Sequence, residues 1–171
     1  MRARGFSLIE FVVVVIIVGI LAGFALSRML PLIGSAQRIA FVQVEGQLKS
    51  ALLLEAAERI TRGESNTLLS LDASNPMDLL LQPPANYRGS VAALNAPIEQ
   101  NTWIFDTSRR RLVYRVGRYS SFEALEGPRD VVEMQVRFAY RDRDADGVYD
   151  PGVDSFGGLR LDTVNPYIWP D

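Results

Sequence analysis

A run of acidic residues near the C-terminus has the residue types and the spacing of a calcium-binding loop. Carboxylates stand at positions one, three, five and nine of the run that begins at Asp142, and Gly147 stands at position six, where such loops turn sharply. Position twelve, which is glutamate in an EF-hand, is Val153, and the next carboxylate comes one residue later. The predicted Ca²⁺ ligands are the carboxylates of Asp142, Asp144, Asp146, Asp150 and Asp154 and the backbone carbonyl of Val148.

The alternative for this run is a solvent-exposed acidic turn, because Asp and Gly are favoured in turns for conformational reasons alone. Two observations favour calcium. Carboxylates this close in sequence repel one another unless a cation lies among them. The chain has no cysteine, so no disulfide can hold the segment 142–171, which is predicted to be irregular. Magnesium suits the run less well, because so many carboxylates exceed what its octahedral shell accepts.

Glu10 lies in an otherwise apolar segment near the N-terminus. No residue from Phe11 to Ser27 is charged, and a run of this length can cross a membrane. A carboxylate costs about 2.5–3.5 kcal/mol at the bilayer centre and less near its edge. No basic residue follows for 17 positions, so the partner of Glu10 is either Arg2 or Arg4, or it comes from another molecule.

The residues around Glu10 resemble the class III signal of type IV prepilins and pseudopilins. A short basic leader, residues 1–5, ends at Gly5, Phe6 follows, and Glu10 is the fifth residue after the glycine, ahead of the apolar run. The resemblance implies that a prepilin peptidase cleaves between Gly5 and Phe6 on the cytoplasmic side and methylates the new amine of Phe6. It also implies that Glu10 pairs with the terminal amine of a neighbouring subunit during filament assembly.

A plain signal anchor is the alternative for this segment. Two arginines precede the run and only Arg28 follows it closely, so the positive-inside rule places the N-terminus in the cytoplasm and the rest of the chain in the periplasm. A secretory signal peptide would have a shorter apolar core and a cleavage site of small residues. Removal of residues 1–5 would leave 16 basic against 20 acidic residues, a formal charge of −4 rather than −2.

Helical spacing of apolar residues continues beyond the apolar segment. We therefore expect one helix from about Phe6 to about Ile60, with a kink or local opening at Pro31. Its first half, residues 6–30, is apolar on all sides and needs lipid or other helices around it. Its second half, residues 31–62, is amphipathic and needs a sheet on one face. Residues 63–171 then form a globular head.

The head is predicted to contain antiparallel strands. Thr102–Phe105 and Arg111–Val116 flank a turn, as in a hairpin, and Val131–Tyr140 alternates apolar with polar residues. These patterns predict an α+β fold in which the long helix lies across a three- or four-stranded antiparallel sheet. This is also the pilin fold that the resemblance implies.

The connection between helix and sheet is predicted to contain two short helices, Thr67–Leu71 and Met77–Leu81, the second starting at Asn75 and Pro76. The stretch from Asn75 to Tyr87 resembles a segment of minor pilins of mannose-sensitive haemagglutinin-type pilus systems.

Five arginines cluster around the predicted hairpin: Arg109, Arg110, Arg111, Arg115 and Arg118. They fit either a solvated hairpin with outward-facing arginines or a contact with the acidic segment 142–171 of a neighbouring subunit. Nucleic acid is a poor partner, because no stacking aromatic residues are interleaved with the arginines and the net charge of −2 gives no overall attraction.

The absence of histidine and cysteine removes the commonest general base and the thiol nucleophile, so the sequence gives an enzyme little support. We predict a structural subunit of a type IV pilus-like filament. It is processed by prepilin peptidase, waits in the inner membrane for the assembly machinery, and ends in a surface pilus or a periplasmic pseudopilus. The alternatives are a pseudopilin of a type II secretion system and a signal-anchored periplasmic calcium-binding domain that never assembles.

Overall fold

The computed structural model describes residues 6–94 and 97–170, and its first element is a helix of 54 residues, α1 (Leu8–Thr61). The helix begins after Ser7, whose Oγ accepts a hydrogen bond from the backbone N–H of Glu10 at 3.2 Å. Past its end, Gly63 takes a left-handed backbone conformation with φ of 77°, as helix-terminating glycines do. The backbone stays helical through Pro31, so the local opening predicted there does not occur.

The two halves of α1 have different surroundings within the chain. From Phe6 to Leu26 the large apolar side chains are 45–81% exposed, and this part is long and apolar enough to cross a membrane. In the second half, Phe41, Leu48 and Leu52 are buried against the sheet. The head therefore uses only the second half of the helix for its core.

The connection after α1 forms two 3₁₀ helices, Ser65–Leu71 and Pro76–Leu79. Arg59 ties the first of them to α1, because its guanidinium pairs with Glu55 at 2.7 Å and donates to the carbonyl of Thr67 at 2.8 Å. Asn75 caps the second, since its side-chain oxygen accepts from the backbone N–H of Met77 at 3.2 Å. The prediction of two short helices is confirmed.

The head contains a five-stranded sheet in the order β1-β2-β3-β5-β6 and a separate pair, β4 with β7. The strands β1 and β2 are parallel, and all other pairs are antiparallel. The strand bounds are β1 (Tyr87–Val91), β2 (Thr102–Asp106), β3 (Arg111–Arg115), β4 (Glu123–Ala124), β5 (Val131–Arg141), β6 (Ser155–Thr163) and β7 (Tyr167–Ile168).

The α+β class and the predicted hairpin of β2 and β3 are confirmed, but the sheet has five strands rather than three or four. The strand β1 contains Arg88, Gly89 and Ser90 and lacks the alternation that marks a strand. The strand β6 lies in the segment 142–171, so the prediction that this segment is irregular is wrong. It pairs along most of β5, whose backbone groups would otherwise be left at a sheet edge.

Aromatic rings join α1 to β2 and to the C-terminal segment of the head. The ring of Phe41 stacks on Trp103 with centroids 5.2 Å apart, and Trp169 lies 5.1 Å from the same ring. The backbone carbonyl of Trp169 also accepts from the guanidinium of Arg38 at 2.9 Å. The C-terminal segment is thus held by β6 and by a buried tryptophan.

Candidate functional site

The predicted processing and assembly residues lie at the start of α1. Phe6 is 64% exposed and Glu10 is exposed in the first turn of the helix, while Gly5 lies outside the described residues. Ser7 is a residue that our sequence reasoning missed. Ser7 and Glu10 have the S-x-x-E spacing of a capping box, which could have identified Ser7 as the helix cap.

The face of α1 that points away from the sheet carries an apolar stripe. We call Ile39, Val42, Gly46 and Leu53 the outer stripe, because they follow one another at helical spacings of three, four and seven residues. The three apolar side chains are 65%, 50% and 72% exposed. The sequence predicted one apolar face on this half of the helix, and the structure shows a second one without a partner in the described chain.

Three glycines leave room along the exposed surface of α1. A Cβ placed on Gly19, Gly23 or Gly46 would meet nothing within 4 Å outside the local helix backbone. Gly19 and Gly23 have the G-x-x-x-G spacing at which membrane helices approach each other closely. The helix therefore offers two sites for close packing of another helix, one at Gly19 and Gly23 and one at Gly46.

Three of the predicted calcium ligands come together in the loop between β5 and β6. Asp142, Asp144 and Asp146 each place a carboxylate oxygen within 4.8 Å of the other two. Asp142 shapes the loop, because its carboxylate accepts from the backbone N–H groups of Ala145 at 2.6 Å and Gly147 at 2.9 Å. The cluster lies at the surface, where Asp144 and Asp146 are exposed and Asp142 is half-buried.

The other predicted carboxylate ligands, Asp150 and Asp154, do not join this cluster. Asp154 is buried, and its two oxygens accept from the backbone N–H groups of Arg143 and Asp150, both at 2.9 Å. It therefore closes the base of the loop. Asp150 has an exposed side chain just beyond the cluster, and Tyr149 between Val148 and Asp150 is buried against Phe138.

Burial, hydrogen bonds and neighbouring charges shift the pKa values of residues in and beside the acidic cluster. Partial desolvation and the negative charge of Asp146 raise the pKa of Asp144. The backbone N–H of Gly147 lowers the pKa of Asp142. Desolvation raises the pKa of the nearby Tyr140, and the charges of Asp142, Asp154 and Asp146 raise it further. The loop is thus a concentration of negative charge that a cation would neutralise.

The arginines of the hairpin are partly used within the chain. Arg111 pairs with Glu133 at 2.5 Å, and Arg115 pairs with Asp130 at 2.8 Å. The interpretation of all five arginines as outward and solvated is therefore wrong, because Glu133 on β5 is buried beneath Arg111. The hairpin turn and the acidic loop lie toward the same end of the sheet, since β5 runs from Val131 opposite Arg115 up to Arg141. For the hairpin turn of one subunit to contact the acidic loop of another, the two subunits would therefore have to lie side by side.

Comparison with known families identifies the N-terminal segment. Residues 1–26 match the family model described as the prokaryotic N-terminal methylation motif, the class III signal peptide of type IV pilins. No curated protein and no solved structure matches the chain. The motif supports a precursor of the type IV pilin or pseudopilin type and implies processing by prepilin peptidase and assembly into pilus-like filaments. Together with the apolar helix, it is consistent with a membrane-anchored precursor.

Proposed function

We propose that this chain is a structural subunit of a type IV pilus. Prepilin peptidase cleaves it between Gly5 and Phe6 and methylates the amine of Phe6, and the assembly machinery then moves it from the inner membrane into the filament. The observation that carries this proposal is the methylation motif at residues 1–26, continued by a single helix whose apolar surface is exposed over both halves.

The outer stripe favours assembly over a permanent anchor. Ile39 is 13 residues beyond Leu26, near the end of the apolar run, which is about 20 Å along the helix, and Leu53 is about 40 Å beyond it. The headgroup layer adds only about 5–7 Å to the hydrocarbon on each side, so lipid does not cover the stripe. Burying one such side chain contributes about 1.5–3 kcal/mol, and packing against other helices in a filament would supply that burial.

Glu10 fits a role in setting the position of one subunit against the next. A buried carboxylate needs a partner, and cleavage after Gly5 creates an amine on Phe6, four residues away in sequence. Pairing Glu10 with the Phe6 amine of a neighbour neutralises both charges in an apolar bundle. Such a contact joins different surfaces of two copies and does not close on itself, so it produces a filament.

The test is the Glu10→Ala variant, with Glu58→Ala as the matched control. Glu58 is an exposed carboxylate on the same helix, and among the described residues it pairs with Arg62 one turn later. We expect Glu10→Ala to be cleaved normally but to fall at least tenfold in the sheared filament fraction, while Glu58→Ala assembles like the wild type. Equal incorporation of the Glu10 variant would refute the pairing.

A pilus rather than a secretion pseudopilus is favoured by the resemblance of residues 75–87 to minor pilins. Deletion of the gene separates the two roles. Loss of long surface fibres with unchanged protein export supports the pilus assignment. Loss of export with intact fibres would assign the chain to a type II secretion system.

We also propose a weak calcium site in the loop between β5 and β6. Its support is the convergence of Asp142, Asp144 and Asp146 on a loop that Asp154 closes from below. These carboxylates would hold the ion, with water completing the six to eight oxygens that calcium takes. Bound calcium would relieve the repulsion among the carboxylates and stiffen the end of the head farthest from the membrane.

Thermal unfolding of the full chain in detergent tests this site. For a dissociation constant of about 10⁻⁴–10⁻³ M, about 10 mM Ca²⁺ adds about 1.4–2.7 kcal/mol to the free energy of unfolding, or a few degrees in Tm. Asp144→Asn should lose most of this shift, and Asp162→Asn on β6 should keep it. The calcium site would be contradicted if Mg²⁺ raised Tm as much as Ca²⁺ does, or if Ca²⁺ raised the Tm of Asp144→Asn as much as that of the wild type.

A further inference from the structure

A polar cavity with two arginines lies on the head near the point where α1 leaves the apolar segment. Its volume is about 190 Å³, and Arg118 and Arg129 line it together with Gln100, Ser120 and Asp130. Apart from Gln100, its lining residues belong to the connection between β3 and β5, at the opposite end of the sheet from the acidic loop.

The cavity carries positive charge that is not neutralised within the described part of the chain. The guanidinium groups of Arg118 and Arg129 are exposed, and neither makes an ion pair or hydrogen bond to a described residue. The carboxylate of Asp130 is paired with Arg115 at 2.8 Å. Glu123 and Glu126 belong to the same connection but do not line the cavity. Two arginines that line one cavity supply the positive charge and the hydrogen-bond donors that bind a phosphate group.

The contacts of two glycines fix the height of this cavity along α1. A Cβ placed on Gly34 would collide with the carbonyl oxygen of Tyr119 and lie 3.4 Å from the Cα of Ser120. A Cβ placed on Gly117 would lie 2.7 Å from the side-chain amide of Gln37. The cavity is therefore level with residues 34–37 of α1.

This height is close to the membrane surface. The hydrocarbon core takes about 20 residues of helix, and Gly34 is about 12 Å beyond Leu26. Headgroups occupy about 5–7 Å of that distance, and an arginine side chain spans most of the remainder. Tyr119 and Leu125 on the same connection are 53% and 54% exposed, and tyrosine is enriched at membrane interfaces.

We propose that this cavity binds the phosphate of an anionic phospholipid headgroup in the leaflet on the side of the head. Arg118 and Arg129 would donate to the phosphate oxygens and hold the head in one orientation on the membrane before assembly. The proposal rests on the proposed membrane anchoring of α1, but it concerns a separate site and a separate ligand. Assembly would withdraw the cavity from the lipid.

The test is hydrogen exchange of residues 117–130, measured by mass spectrometry on the full chain in lipid nanodiscs. Discs of phosphatidylcholine are compared with discs containing about 30% phosphatidylglycerol. We expect slower exchange in the anionic discs, and an apparent affinity for phosphatidylglycerol that falls about fivefold for each arginine removed. Salt at about 1 M should abolish the difference, because it reduces the screening length to about 3 Å.

The matched variants are Arg118→Gln with Arg129→Gln, against Arg110→Gln with Arg137→Gln. The first pair should lose the lipid dependence, and the second pair, exposed arginines away from the cavity, should keep it. Unchanged exchange in β2 and β3 shows that each variant is folded. Equal exchange in both kinds of disc, or an unchanged response in the first pair, would overturn the proposal.

Free phosphate is the other source of the same chemistry. Millimolar inorganic phosphate added to the phosphatidylcholine discs should leave the exchange of residues 117–130 unchanged. If phosphate alone slows the exchange and phosphatidylglycerol adds nothing, the lipid assignment is wrong. Failure of the anchoring itself would be seen separately, because the chain would then not copurify with the discs.

Discussion

Asp106 shows how one buried carboxylate fixes the turn between β2 and β3. Its Oδ1 accepts from the backbone N–H groups of Ser108 at 2.9 Å and Arg109 at 3.1 Å and from the hydroxyl of Ser108 at 2.7 Å. Burial raises the pKa of Asp106, but the hydrogen bonds outweigh burial, so the pKa lies below its usual value. The turn therefore depends on the ionised form.

This pKa gives a pH dependence with a definite sign. Because the pKa of Asp106 is lower in the folded state than in the unfolded state, its contribution is complete above the unfolded value of about 3.9 and is lost as pH falls through the folded value. Asp106→Ala should lower the free energy of unfolding at pH 7 by about 1–3 kcal/mol, since it leaves the turn N–H groups without their acceptor. The variant should also lose less stability than the wild type on acidification.

Chemical unfolding of the full chain in detergent at several pH values measures this effect. Asp162→Asn serves as the control, because Asp162 is a partly exposed carboxylate on β6. The same acid dependence in the wild type and in Asp106→Ala would show that the turn does not depend on the charge.

Single residues were predictable where the signal is local in sequence. The order of Gly5, Phe6 and Glu10 needs no knowledge of the fold, and the family comparison matched the segment that contains them. The burial of Glu133 was not predictable. Alternation places it on the polar face of β5, and only the three-dimensional approach of Arg109 and Arg111 covers it.

Among the elements, α1 was predictable because its apolar spacing persists over many turns. The strand β6 was not, because Gly157 and Gly158 weaken its own pattern and its pairing with β5 decides its structure. The outer stripe was also missed. Periodicity identified the face that packs on the sheet, but the apolar run Ala51–Leu54 already places apolar residues on more than one side of the helix.

The close contact between α1 and the connection after β3 predicts how α1 tolerates an added methyl group. Gly34 is buried, and a Cβ there would collide with the Tyr119 carbonyl, whereas a Cβ on the exposed Gly46 meets nothing within 4 Å. Gly34→Ala should lower the free energy of unfolding by about 1–3 kcal/mol, because backbone must shift to admit the methyl group.

Gly46→Ala is the matched control, and it should leave stability unchanged or raise it by about 0.5–1 kcal/mol through helix propensity. Thermal unfolding of both variants in detergent makes the comparison. Equal effects of the two substitutions would contradict the close approach of α1 and the connection.

At the scale of the whole molecule, the exposed surface divides into regions with different environments. Under the proposed function, the apolar first half of α1 needs lipid or other helices and the outer stripe needs protein, while the acidic loop lies at the end of the sheet far from the apolar half of α1. A subunit that moves from a membrane into a filament would first surround the apolar half of α1 with lipid and then cover the outer stripe with protein. A permanently anchored domain would leave the outer stripe in water.

The most direct test of this account is the mass of the chain recovered from sheared surface filaments. The account predicts a chain that lacks residues 1–5 and begins at N-methylated Phe6, present in the filament fraction. A chain that retains residues 1–5 and is found only in the membrane fraction would contradict the account.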